Sequence, residues 1–317
     1  MKLKVALPFR HQMQLVCDEA RQMLIDEGFE LVCNETGRKL SDEEQKAMIS
    51  DAYAIISGTE QYDSKMLAGC KNLKVVMRFG VGTDNFDLKA MRDMGIEVGV
   101  IANYNAVAEF ALTLMLAVLK NYPRYDKAVR GGEWTRFPMR ELKEKTVGII
   151  GFGRIGRRLA ELLNGFEVNI LAYDPYMNIN DVKKCGVTPV GFEELLERAD
   201  IVSLHLPYTD TTHHIIDANA ISRMKDGAYL INTARGHLVD EEALVEALKN
   251  GKLSGAGIDV YETEPITKDN PLMQLNNTAL APHCSALSYE TNYNGGIICA
   301  ESIIRVKNGE KPIYSIF

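Results

Sequence analysis

No Cys-x-x-Cys pair occurs in this sequence. The six cysteines stand at 17, 33, 70, 185, 284 and 299, too scattered for the paired spacing of zinc or dithiol redox sites. Free thiols in a reducing cytoplasm are therefore expected, and no metal. Long apolar runs are missing too. The most apolar stretch, AVAEFALTLMLAVL at 106–119, is too short to span a bilayer and carries Glu109, so a buried helix is expected there. The opening MKLKVAL meets Pro8 at once, without the longer apolar segment of a secretion signal. No basic run offsets a formal charge of −7. Such a surface repels phosphate backbones, so neither nucleic acid nor a membrane is expected as a partner. What remains is ordinary globular material: 317 residues, 46% hydrophobic and 25% charged, enough for two domains.

The chain alternates short β-rich runs with helical stretches. KVALPF (4–9), FELVCN (29–34), AYAIISG (52–58), LKVVMRFG (73–80) and IEVGVI (96–101) read as strands. Between them, 14–28 reads as a helix closed by Gly28, and 41–50 as a helix opened by a Ser41–Glu44 capping box. A long helix over about 106–120 follows, then a polar, aromatic stretch at 121–138 interrupted by Gly131 and Gly132. The beat restarts at KTVGIIGFG (145–153) and recurs at 167–174, 200–207, 227–236, 255–262 and 278–283, with helices at 192–199, 219–224 and 240–251. This predicts an α/β chain with two doubly wound parallel sheets and a boundary near residue 100. A helical tail after 285 is too short to stand alone and must pack back on one of them.

GIIGFGRIGRRLAELLNGFEVNILAYD, 148–174, carries three glycines and a spaced acid. An apolar strand precedes Gly151, Gly153 and Gly156, an amphipathic helix follows, and the next strand ends in Asp174. That is the full context of a dinucleotide fingerprint. Gly151 permits a tight turn, Gly153 lets the backbone approach a pyrophosphate, and Gly156 lets the helix lie close on the strand. The helix tip offers unsatisfied N–H groups to the phosphates. Asp174 would accept from ribose hydroxyls and repel a 2′-phosphate. Pro175 and Tyr176 follow it, not arginine, which favours NAD over NADP. The alternative is a packing turn with no ligand.

Ligands of open parallel sheets sit beyond the carboxyl ends of the strands. Arg235, Asp259, Glu262, Glu264, His205 and His283 all fall near such ends, as does the glycine-bracketed turn GVGTDN at 80–85. The set suits hydride chemistry on a 2-oxo acid. The planar fork of an arginine binds its carboxylate and carbonyl. A histidine supplies the proton the oxygen needs as hydride arrives, and a carboxylate beside it favours the imidazolium. Successive amides at Gly80, Val81 and Gly82 could cradle the substrate carboxylate. Spacing alone does not separate His283 from His205, or Glu264 from Glu262. Asp259 could equally be a buried structural group, Arg235 a surface cap, and His213 and His214 a solvated loop.

GIIGFGRIGRRLA, LHLPYTDTTHHII, GAYLINTARGHLVDEEALVEAL, GAGIDVYETEP and APHCSA, taken together, resemble the D-isomer-specific 2-hydroxyacid dehydrogenases over residues 50–300. The resemblance implies a Rossmann NAD domain at 101–285 inserted into a flavodoxin-like substrate domain of 1–100 plus 286–317. It implies Arg235 as the substrate-binding arginine, His283 as general acid/base and Glu264 as its partner. Asp259 would meet the nicotinamide amide, and Arg154, Ile155, His205, Pro207, Thr233 and Ala234 would also touch the cofactor. The resemblance further implies a homodimer with contacts at the long helix and EWTRFP, and a substrate in a cleft. Where relatives often carry other residues, this chain has Phe110 after Glu109, and Cys284 and Ser285 after the histidine. Two other readings stay open: an NAD-sensing, corepressor-like binding protein, and a formate dehydrogenase. Glu264 speaks against the second, since formate dehydrogenases pair this histidine with glutamine.

Overall fold

The computed structural model describes residues 2–9, 16–101, 104–179, 182 and 185–317. Gln14 and Leu15, expected to open the first helix, lie outside the described residues; that helix is described from Asp18 to Asp26. The chain divides into two compact units, 1–103 with 287–317, and 104–286.

The first unit holds β1 (Leu3–Leu7), β2 (Phe29–Cys33), β3 (Ala54–Ser57), β4 (Val75–Arg78) and β5 (Glu97–Val100). They form one parallel sheet in the order β2-β1-β3-β4-β5. A strand's side chains alternate between faces, and here both faces are buried. Val5, Leu7, Ala54, Ile56, Val75 and Met77 pack on one side. Ala6, Ile55, Val76 and Val98 pack on the other. That is why these runs are continuously apolar rather than alternating. The helix Asp42–Ile49 opens with the expected capping box, Ser41 Oγ accepting from Glu44 N and Glu44 Oε2 accepting from Ser41 N. The tail helix Tyr289–Lys307 returns to this unit, placing Cys299, Ala300 and Ile303 in the core beside Val5 and Leu7. Gly295 allows the contact: a Cβ there would lie 2.8 Å from Ile101 and 2.9 Å from Phe79.

The second unit is built on β6 (Thr146–Ile150), β7 (Asn169–Tyr173), β8 (Thr188–Pro189), β9 (Ile201–Leu204), β10 (Ala228–Asn232), β11 (Leu253–Ile258) and β12 (Thr278–Leu280). The sheet order is β12-β11-β10-β9-β6-β7-β8, with every pairing parallel. The chain leaves β6 for β7 on one side and comes back to β9 on the other, so β6 sits at the switch point where a crevice opens. Ile149 and Ile150 face opposite cores, and each such buried side chain contributes roughly 1.5–3 kcal/mol. The helix Tyr104–Leu119 covers one face through Ala108, Ala111, Leu114, Met115 and Val118, packed with Val147, Ile149 and Ile231. It is the buried helix expected from the apolar run. The helix Tyr122–Arg130 stops at Gly131, as the glycine pair suggested.

Candidate active site

The glycine turn leaves β6 and enters the helix Arg154–Leu163. Gly151 has φ +93°, open to glycine at little cost, and a Cβ there would lie 2.6 Å from the His205 carbonyl carbon. At Gly156 a Cβ would lie 2.3 Å from the Gly151 oxygen, so only glycine lets the helix seat. Gly153 differs: nothing lies within 4 Å of its would-be Cβ, and no side chain caps the helix it begins. Arg154 and Ile155 form the first turn. This helix tip therefore has open space in front of amides that need an acceptor, which fits a pyrophosphate. Asp174, just past β7, accepts from Phe152 N at 2.9 Å and from Tyr176 N at 2.8 Å. It braces the glycine turn.

Two polar atoms at neighbouring strand ends support the same fit. His205 Nδ1 and Thr233 Oγ1 are buried with no hydrogen-bond partner. Such atoms are rare, and each asks for an acceptor or donor from outside the chain. Pro207 follows β9 and Ala234 follows β10; the Ala234 amide is held by Asn232 Oδ1 at 3.0 Å.

The second half of the site is a loop wrapped around one carboxylate. Asp259 is fully buried just beyond β11. Its main-chain oxygen accepts from His283 N at 2.7 Å, and its side-chain oxygens accept from Cys284 N at 2.8 Å and Ser285 N at 2.9 Å. Three successive N–H groups thus converge on one residue, because His283 adopts φ +53°. That left-handed conformation is uncommon outside glycine but tolerated by histidine. Both Asp259 oxygens are engaged with the loop, so its observed work is to hold the backbone that carries His283.

His283 Nδ1 meets Glu264 Oε2 at 2.7 Å, and Tyr261 N donates to Glu264 Oε1 at 3.1 Å. Burial opposes charge on Glu264. The hydrogen bond to His283, that ring's charge, the Tyr261 amide and the charge of Arg235 outweigh it and hold the carboxyl below its ordinary range. Among the described residues His283 Nε2 has no hydrogen-bond partner, and the side chain is 46% exposed. The ring is pinned on one nitrogen and available on the other.

The pairs that spacing left unranked now differ sharply. His205 is half-buried, its Nε2 2.9 Å from Ser203 Oγ; among the described residues it has no carboxylate partner, and desolvation pushes its pKa down to about 4. Such a ring stays neutral at physiological pH. Glu262 pairs instead with His214, Oε1 to Nε2 at 2.7 Å, and His213 stacks on His214 with ring centroids 3.9 Å apart. Burial raises the Cys284 thiol to about 11, with the charge and hydrogen bond of Asp259 adding to it, so it is inert near neutrality.

Arg235 follows β10. Its main-chain oxygen accepts from Asn232 Nδ2 at 2.8 Å, and its Nη1 donates to Ala234 O at 2.7 Å. Gly236, which the sequence did not mark, explains the turn's position. A Cβ at Gly236 would sit 2.0 Å from Tyr261 C and O and 2.5 Å from Glu262 N. The turn bearing Arg235 therefore lies directly on the backbone that leads to Glu264. In the first unit, the Gly80–Val81–Gly82 turn lies past the end of β4. Arg78 fixes it, donating from Nε to Gly82 O at 3.0 Å and from Nη1 to Phe79 O at 3.1 Å. Among the described residues the Val81 and Gly82 amides have no hydrogen-bond partner.

A glycine turn that keeps helix amides open, and an imidazole–carboxylate pair held on the strand ends of the same sheet, place the chain among dinucleotide-dependent oxidoreductases. Comparison with known proteins narrows the class. Residues 112–285 match the family described as D-isomer specific 2-hydroxyacid dehydrogenase, NAD binding domain. A D-3-phosphoglycerate dehydrogenase of Archaeoglobus fulgidus is 40% identical over 259 residues, 80% of this chain and 49% of the relative. A glyoxylate reductase of Korarchaeum cryptofilum is 38% identical over 299 residues, 91% of this chain and 90% of the relative. The TT0316 protein of Thermus thermophilus superposes with a TM-score of 0.90 at 31% identity, covering 99% of this chain and 100% of that one. The chain belongs to the D-isomer specific 2-hydroxyacid dehydrogenase family of NAD(P)-dependent oxidoreductases. It spans about half the length of the phosphoglycerate dehydrogenase it matches. Among the described residues no helix is long and apolar enough to cross a membrane.

Proposed function

We propose that the chain interconverts a D-2-hydroxy acid and a 2-oxo acid, with His283 as general acid/base, Glu264 as its partner and Arg235 as the substrate-binding cation. The observation that carries this is the 2.7 Å contact between His283 Nδ1 and Glu264 Oε2, with Nε2 left without a partner. When bound, reduced nicotinamide supplies the hydride to the 2-oxo carbon. His283 then gives a proton from Nε2 to the substrate oxygen, and Glu264 stabilises the charged ring before that transfer. Arg235 offers a planar fork to the carboxylate and carbonyl. The Val81 and Gly82 amides keep their assignment to the substrate carboxylate, supported by their lack of other partners. Asp259 holds the His283 loop, whatever contact it also makes to the nicotinamide amide.

NAD is favoured over NADP because a carboxylate, Asp174, stands at the ribose position and Pro175 and Tyr176 follow it. A homodimer is supported by exposed apolar side chains near the expected contact region, Trp134 at 83%, Tyr122 at 63% and Met139 at 56% exposure. The cysteines form no disulfide, which suits the reducing cytoplasm. The test is a panel of glyoxylate, hydroxypyruvate, pyruvate, branched 2-oxo acids and formate with NAD(H), repeated with NADP(H). Turnover of at least one 2-oxo acid with NADH is expected. Turnover of none, with intact NADH binding, would favour a nucleotide-sensing role instead, and turnover of formate alone would make the chain a formate dehydrogenase.

A further inference from the structure

We infer that the first unit carries a second anion site, for a small organic phosphate, at the amino-terminal edge of its sheet. β1, β3 and β4 begin at Leu3, Ala54 and Val75. A cavity of about 390 Å³ opens beside those starts, lined by Lys2, Lys4, Asp51, Tyr53, Lys71 and Lys74 among others. The Gly80–Gly82 turn lies past the other end of β4, so the cavity is on the opposite edge of the same sheet. Its volume falls within the range of roughly 300–1,000 Å³ typical of small-molecule sites.

Charge identifies the ligand. Four lysines and one aspartate line this cavity, in a chain whose formal charge is −7. Asp51 is taken by Lys4 at 2.6 Å, and Glu30 adds a weaker attraction on Lys4 alone. Among the described residues the side chains of Lys2, Lys71 and Lys74 make no ion pair or hydrogen bond. Ammonium groups that line one cavity, three of them on exposed lysines, favour an anion placed between them. A single negative charge would match one of the three lysines that Asp51 leaves uncompensated, whereas a phosphate of charge −2 or more matches two or more. Tyr53, half-buried with its ring 5.8 Å from that of Phe29, gives the cavity an aromatic wall. The chain's overall negative charge and the small volume both disfavour a nucleic acid.

The whole chain, held in excess NADH so that the glycine turn of the second unit is filled, would be titrated calorimetrically with inorganic pyrophosphate and, separately, with adenosine triphosphate. Amide hydrogen exchange would locate the binding. Saturable binding is expected with protection at residues 2–4, 51–53 and 71–74. Tighter binding of the nucleotide would show its base against Tyr53; equal binding would show that phosphate alone is recognised. Lys71→Gln with Lys74→Gln should weaken binding by about tenfold or more, each removing one charge-assisted contact. Lys249→Gln, on a helix of the second unit, should leave it unchanged. Lys71→Gln alone, at an exposed position, provides the same comparison without risk to folding. No saturable binding, protection only outside those segments, or equal affinity in the lysine variants would overturn the site.

Discussion

Replacing Gly236 by alanine tests whether the contact between the Arg235 turn and the Glu264 loop matters to catalysis. The new Cβ would sit 2.0 Å from Tyr261 C and O. Ordinary carbon contacts lie at roughly 3.5–4.0 Å, so the two backbones must separate by about 1.5 Å. The obstacle is main chain in the buried segment that follows β11, with Val260 and Tyr261 nearly inaccessible, so no side-chain rotation relieves it. Arg235, one residue away, moves with the turn. A misplacement of about 1 Å at a positioned group can cost up to 10²-fold in rate, and forced overpacking costs about 1–3 kcal/mol of stability. Gly236→Ala should therefore lower kcat/KM for the 2-oxo acid by roughly 10- to 100-fold. It should also lower Tm, while NADH affinity measured by fluorescence quenching stays near that of the parent. Gly153→Ala is the control for stability, since nothing lies within 4 Å of its would-be Cβ; its Tm should not fall. A Gly236→Ala variant with kcat/KM within about twofold of the parent would refute the reasoning, because the turn would then tolerate a shift the packing forbids.

Three further outcomes follow from the loop around Asp259. Asp259→Ala removes two hydrogen bonds to a charged acceptor at 2.8 and 2.9 Å, worth about 3–5 kcal/mol together; a urea midpoint barely changed would show that the loop holds itself. Cys284, raised to about 11 from an ordinary 9.0, should alkylate with iodoacetamide at pH 8 about 100-fold more slowly than a free thiol, and labelling at the free-thiol rate would contradict its burial. Glu264 is held below its ordinary value of 4.5, so the stability it contributes is present above that value and is lost as pH falls through its folded pKa. The stability gap between the parent and Glu264→Gln should therefore be present at about pH 5 and shrink as the pH is lowered further; a gap that keeps widening below about pH 4 would reverse the sign.

The parallel α/β architecture was legible because its signals are local. The glycines at 151, 153 and 156, the strand before them and Asp174 lie within one stretch of chain. The apolar run at 106–119 announced its helix in the same way. The two-residue strand Thr188–Pro189 escaped, being too short for any period and carrying a proline. The acid/base pair was half legible. His205 and His283 both follow strands, and only burial, a property of the whole fold, separates a neutral ring from an exposed one. Glu262 and Glu264 are two residues apart and were told apart by partners far off in sequence, His214 and His283. Gly236 meets Tyr261, and Asp259 meets residues 283–285, across similarly long stretches of chain. No local pattern encodes such contacts. The recurrence of the ETEP and APH segments in a known family could mark the residues, but not why they are held.

The most direct measurement is the single-turnover rate of His283→Ala with NADH and an accepted 2-oxo acid, alongside its NADH dissociation constant. The rate should fall by roughly 10²–10⁴, the range for loss of a positioned acid, with NADH binding within about threefold of the parent. A rate close to that of the parent would mean that the proton comes from elsewhere and that the His283–Glu264 pair is structural.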